Sequence, residues 1–207
     1  MSLVFPVLVA TLLGLALGGT VRRLSQIQLV RIELFYAAVA FQILAFPFPF
    51  LPWRTPEPAA KALWLVSYAL VLAATWCNRL LTGVPVVALG TLLNLVAVLA
   101  NGGLMPALPS AVHGSGNSYH VSNNSITVAQ PHLAALVDRW AAPDWLPLAN
   151  VFSVGDVVIG IGAAVIVLAG MGVSLGPGRG GARTALGPGP AAPPTPALAL
   201  WRQTLTG

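Results

Sequence analysis

Five apolar stretches, at about 3–19, 32–50, 62–77, 84–100 and 152–175, follow one another along the chain, with nearly all of the charged positions lying between them. Each approaches the ~20 apolar residues a helix needs to cross a hydrocarbon core of roughly 30 Å. The pattern predicts an all-α integral membrane protein built as a five-helix transmembrane bundle. The second stretch runs into FPFPFLPW, where Pro47 and Pro49 lack backbone donors and should end the helix at an interface that Trp53 can anchor. Asn101, Gly102 and Gly103 give the fourth a stop signal.

Composition supports the same class. Of 207 residues, 57% are hydrophobic and 7% charged, against about 25% charged in an ordinary soluble domain. Mean hydropathy is +0.83. The net charge of +5 comes from arginines standing singly or in pairs at the span ends, which is an orientation signal rather than a phosphate-binding surface. No nucleic-acid partner is expected; the lipid bilayer is.

With the N-terminus outside, Arg22, Arg23, Arg31, Arg79, Arg179, Arg183 and Arg202 fall inside, while Arg54, Lys61 and Arg139 fall outside. That asymmetry fits the positive-inside rule and places the C-terminus in the cytoplasm of a multi-pass cell-membrane protein. No Lys or Arg precedes the first stretch, and Arg22 and Arg23 follow it. This is the reverse of a cleaved signal, so the first helix should be retained. Cys77 has no partner for a disulfide and reads as a small buried hydrophobe.

The spans and their connections make up residues 1–175. The remaining 176–207 are rich in Pro, Gly and Ala, offer no periodic apolar face, and are expected to form a disordered cytoplasmic tail. The outer loop, 104–151, is long for a mere connection. The β-prone runs 119–121 and 126–128 flank Asn123-Asn124 and fit a small hairpin. Pro131 then opens a short helical pattern through Leu133, Leu136 and Val137. Trp140 and Trp145 suit the headgroup layer.

Polar residues within apolar stretches are the candidates for function. Asn94 and Asn101 share a helix face with Gly90 and Ala97, and Gln42 occupies a similar place in the second stretch. Interhelical hydrogen bonds would explain Asn94 and Gln42; a polar transport path lined by Asn94, Asn101 and Gln42 is the alternative. Glu33 stands beside Arg31 as an interfacial ion pair. Asp156 has two readings. Ser153 and Asp156 have the spacing of a capping box, and the carboxylate meets the positive end of the helix dipole. It also shares a face with Gly160 and Ala164, which would point it into the bundle as a reactive group. Asp138 or Asp144 could then pair with it, one carboxyl acting as acid and the other as base. Local pairing of Asp138 with Arg139 or a loop amide is the plainer account. His113, His120 and His132 stand seven and twelve residues apart, matching no metal-site spacing. No metal or cofactor is expected.

The runs NGGLMP (101–106), LVDRW (136–140) and NVFSVGDVVIGIG (150–162) resemble a bacterial family of small multi-pass membrane proteins known only as a domain of unknown function. That resemblance covers about 1–175 and implies a membrane location and no established activity. VDR followed by NVFSVGD is also similar to the C-terminal part of lipoprotein signal peptidase, an intramembrane aspartyl peptidase. It implies Asp156 as one catalytic carboxylate, Asp138 or Asp144 as the other, and Asn150 as a neighbouring polar group. The GNLxDR and VVDF motifs of that family are not intact here.

Two functions follow from different classes. The first is a non-enzymatic scaffold, partner-binding or small-ligand-binding protein that works at its outer face, with another membrane protein as a suitable partner. Asn94, Asn101, Gln42, Asn150 and Ser153 supply the polar surface. The second is an aspartyl hydrolase of the membrane using Asp156 with Asp138 or Asp144. The residues alone leave open whether the protein is an enzyme.

Overall fold

The structure, a computed structural model, describes residues 4–46, 53–113, 125–143 and 151–173, and these are mostly helical. Five helices occupy the five apolar stretches: α1 (Val4–Ala16), α2 (Glu33–Ala45), α3 (Glu57–Cys77), α4 (Val84–Ala100) and, last in the chain, α6 (Val154–Gly170). Between α4 and α6 lie β1 (Met105–Ala107), the one-turn helix α5 (Pro109–His113), β2 (Ser125–Thr127), β3 (Trp140–Ala141) and β4 (Val151–Phe152). A 3-10 helix, Val21–Gln26, joins α1 to the turn before α2. Among the described residues only α3 is long and apolar enough to cross a membrane by length and composition. The other four apolar helices are 13 to 17 residues long.

The helix ends follow local chemistry. Proline stands in the first turn of both α3 and α4, where its missing N–H costs no hydrogen bond. Glu57 in the first turn of α3 pairs with Lys61 one turn on, at 2.7 Å. Gly83 precedes α4 with φ of 94°, a conformation open to glycine and strained for other residues. Asn78 and Asn101 close α3 and α4.

The helices pack in the order α1, α6, α4, α3, α2, so the last helix is inserted between the first and the fourth. The α4–α6 seam is the most extensive, and glycine makes it possible. A Cβ on Gly90 would fall 2.6 Å from the Gly155 carbonyl oxygen, and one on Gly162 would fall 2.7 Å from the Val87 amide. Gly83 meets Gly162 and Gly90 meets Gly155, so the two helices run antiparallel. Each contributes glycines seven residues apart, which return to one face after two turns. On α6 the face that meets α4 is therefore Gly155, Ile159 and Gly162. Gly160, which the sequence puts on the same face as Asp156, faces Pro6 of α1 instead.

Much of the buried set is small or polar, Ala10, Ala38, Ala60, Ala74 and Ala97 with Ser67, Thr75, Asn78, Thr91 and Asn94, beside a few larger apolar side chains such as Val84, Val137 and Met171. Large apolar side chains lie outside, among them Leu12 at 59% exposure and Leu80 at 91%. One aromatic core interrupts this rule. Trp64 packs with Ala97, Val98 and Met105, and takes edge-on contacts from Phe46 and Tyr68 at 5.4 and 5.1 Å between ring centres.

Several expectations for the connections need correction. The run 126–128 does contribute a strand, but β2 pairs in parallel with β1; the other arm of the expected hairpin, 119–121, lies outside the described residues. No helix forms after Pro131. The segment turns instead, with Leu133 at φ 52°, a left-handed residue that breaks the periodic pattern. Cys77 is exposed rather than buried, standing at the last position of α3, where no further turn of the helix covers it. Pro47, Pro49 and the tail, 176–207, lie outside the described residues.

The seam makes a direct prediction. Gly90→Ala should lower unfolding free energy by about 1–3 kcal/mol through overpacking, read from the denaturation midpoint of the purified protein. Leu89→Ala, one residue away and 52% exposed, should cost much less. Equal effects would contradict the close approach.

Candidate functional site

The N-terminus of α6 meets the C-terminal part of α4, and the polar residues of both helices converge there. Ser153 caps α6: its hydroxyl accepts from the Asp156 amide at 3.1 Å, and the Asp156 carboxylate accepts from the Ser153 amide at 3.0 Å. This is the capping box that the spacing predicts. Asn94 adds the interhelical part. Its amide donates to Asp156 Oδ1 at 3.0 Å, and Ser153 Oγ donates to Asn94 Oδ1 at 2.8 Å. Gly155 is what lets Asn94 in, because a Cβ there would overlap Asn94 Oδ1. Both oxygens of Asp156 are thus occupied by the ends of two helices.

Asp138 comes to the same end from the connection between α4 and α6. Its backbone lies along β1: the amide donates to the Pro106 carbonyl at 3.0 Å, and its carbonyl accepts from Leu108 at 2.9 Å. Its residue surface is only 5% exposed. Burial, with the negative charge of Asp156 adding to it, pushes the Asp138 carboxyl up from 3.8 to about 8, so it is mostly protonated at neutral pH. Tyr68 of α3 is within electrostatic reach of both carboxylates. Asp138 makes no ion pair with Arg139; the Arg139 guanidinium lies 5.2 Å from the Trp140 ring centre, and its amide donates to Phe152. Of the two plainer partners for Asp138, Arg139 is therefore not the one the structure adopts.

The remaining candidates serve elsewhere. Gln42 bonds Ser67 across the α2–α3 seam at 3.3 Å. Asn101 donates to Ala97 and to the His132 carbonyl, and accepts from the His132 amide at 2.9 Å. Asn94, Asn101 and Gln42 therefore occupy three separate hydrogen-bonded sites rather than one polar path. Asp144 and Asn150, and with them His120, lie outside the described residues. Among the described residues no group of three His, Cys, Asp or Glu is placed to hold a metal.

Two participants were missed from sequence. Asn78 holds the turn before α2, accepting from the Val30 amide at 2.8 Å and donating to its carbonyl at 2.7 Å. Its place directly after an apolar stretch was a usable signal, the same one that drew attention to Asn101. Tyr68, a tyrosine in the middle of an apolar run, carried none.

Taken together these features define a helical protein with a polar lock between two glycine-lined helices and a loop-borne carboxyl buried beside it. The family model for the family of unknown function DUF5317 matches residues 26–168, well over half of the chain. The chain belongs to that family. The match takes in α2 to α5 and all but the last turn of α6, and the expectation of a domain of unknown function is met. Comparison with curated proteins and with solved structures finds no match.

The raised Asp138 carboxyl has a measurable consequence. The folded state keeps a proton that the unfolded chain releases near pH 4, so stability should fall as pH rises from about 4 to about 8. Asp138→Asn should flatten that part of the stability–pH curve while leaving the fold intact. An unchanged slope would mean that the carboxyl is not held protonated.

Proposed function

We propose that this chain is a multi-pass protein of the cell membrane, with five spans, its N-terminus outside and its C-terminus cytoplasmic. It acts without catalysis, as a scaffold or as a partner- or small-ligand-binding protein whose working surface is the outer loop, 104–151. Two features support the membrane part. Large apolar side chains such as Leu12 and Leu99 face outward while Ala, Gly, Ser and Asn fill the seams. That inversion is costly in water, and it is how helices pack in lipid.

The observation that carries the non-catalytic reading is the occupation of Asp156. Its two oxygens accept from Asn94 and Ser153, so the carboxylate is committed to joining α4 and α6. The outer loop is tied to the helix ends through Asn101 and His132 and through the backbone of Asp138. Its described segments, 104–113 and 125–143, fixed in this way, present a preformed surface, which lowers the ordering cost of binding.

One observation favours a second reading, an aspartyl hydrolase using Asp156 with Asp138. A buried carboxyl raised to about 8 by burial and by a neighbouring carboxylate has the asymmetry of an acid–base pair. Asp144 remains the alternative partner on sequence grounds.

Reporter fusions after residues 80 and 120 should place those points on opposite sides of the membrane; one shared compartment would sink the five-span reading. Asp138→Asn separates the two functions, since its carboxylate is not part of the α4–α6 lock. The scaffold reading expects a strain carrying only this variant to keep the wild-type phenotype. Hydrolysis by a dyad expects loss of about a hundredfold or more of the activity behind it, the scale of general acid–base catalysis.

A further inference from the structure

At the outer end of the proposed bundle, away from the Asp156 lock, a cleft of about 290 Å³ opens between the C-terminus of α2 and the N-terminus of α3. One wall is apolar, made by Ala45, Phe46, Ala60 and Leu104; the other carries Arg54, Lys61, Glu57 and Thr55. Thr55 is spent on the Leu44 carbonyl, and Lys61 is paired with Glu57 at 2.7 Å. Arg54 is exposed and, among the described residues, has no ion-pair partner, which leaves the cleft with one uncompensated positive charge. Under Phe46 lies Trp64, which is 9% exposed and whose indole N–H is the one buried side-chain polar atom without an acceptor among the described residues.

The orientation adds a second argument. The chain places three Lys or Arg residues on the proposed outer side, Arg54, Lys61 and Arg139, against the bias that puts positive charge inside. Two of those three line this one cleft. Cations kept where orientation disfavours them, beside an apolar wall, match an anionic amphiphile. The volume is at the small end of the range for small-molecule sites, about 300–1,000 Å³, so it suits a headgroup rather than a whole lipid. Arginine is also the side chain best fitted to grip phosphate oxygens in pairs.

We propose that the cleft between α2 and α3 binds the phosphate of an anionic lipid headgroup, with Arg54 as the phosphate ligand and the Lys61–Glu57 pair beside it. The wall of Ala45, Phe46, Ala60 and Leu104 takes the glycerol and the first methylenes. This deepens the ligand-binding side of the proposed function and rests on its membrane placement.

The test uses the full-length protein extracted with mild detergent from bilayers of equal phosphatidylglycerol and phosphatidylcholine, with retained lipid counted by mass spectrometry. Phosphatidylglycerol should be retained in preference by about tenfold, and Arg54→Gln should lose that preference, as expected for one charge-assisted contact. Arg139→Gln, on the same side but outside the cleft, should keep it, and Leu104→Trp, which fills the cleft, should abolish it. Equal loss in Arg54→Gln and Arg139→Gln, or no preference in the wild type, would overturn the assignment. Glycerol 3-phosphate, titrated calorimetrically, should bind at least about tenfold more weakly than the lipid; equal affinity would identify a soluble phosphate compound and overturn the lipid. The five-span placement fails separately, when the fusions after residues 80 and 120 report one compartment.

Discussion

The close approach of α4 and α6 is the constraint on which the rest of the molecule depends. Glycines at 83, 90, 155 and 162 bring two backbones together where any side chain would collide. At that range dispersion contacts are dense, and they extend along the whole seam. The seam also fixes topology. Because α6 lies between α1 and α4, the first helix finds its main partner in the last one, and the connection from α4 must return the chain to that slot.

Glycine gives closeness but no register. Two smooth helix faces seven residues in period could slide by a turn and still fit. Asn94 removes that freedom, because its amide reaches Asp156 and Ser153 at only one offset. A single polar residue fixing register is the best-attested use of a buried polar group between helices. The capping box and the interhelical bond share the same carboxylate, so the start of α6 and its pairing with α4 form as one unit. This explains why a carboxylate can be so prominent in the sequence without being free for chemistry.

Some of this was readable from residues and some was not. The span of α4, 84–100, and the cap at Ser153 and Asp156 could be read because their signals are local: an apolar run between glycine and asparagine, and a serine three residues before an acid. The α4–α6 pairing was not read, although the seven-residue glycine spacing was present in both segments. Spacing within one helix says which residues share a face, but not which other helix will meet it. Gly160 shows the cost, since its small face lies against α1 and not along the α4 seam. The loop was misread for the opposite reason. The run after Pro131 has helical periodicity, but long-range bonds from Asn101 to His132 and a left-handed Leu133 override it. Tertiary hydrogen bonds outweigh a propensity worth tenths of a kcal/mol per residue.

Asn78 and Asn101 use one solution at opposite ends of the helix row. Each closes a helix, and each turns its side-chain amide outward to accept from one backbone amide and donate to the carbonyl of the same residue, Val30 in one case and His132 in the other. An asparagine amide has the same donor and acceptor pair as a peptide group, so it can stand in for a neighbouring strand where no strand exists. Connections that would otherwise leave backbone groups unpaired near an apolar environment are satisfied in this way. Asp138 is the exception, at the end of the helices where α6 begins. Its backbone is fully used in the same manner, along β1, but its side chain is carried into a buried place beside Asp156. Held protonated there by burial, the carboxyl adds no second negative charge to that of Asp156, which is how the fold accommodates an acid at this place.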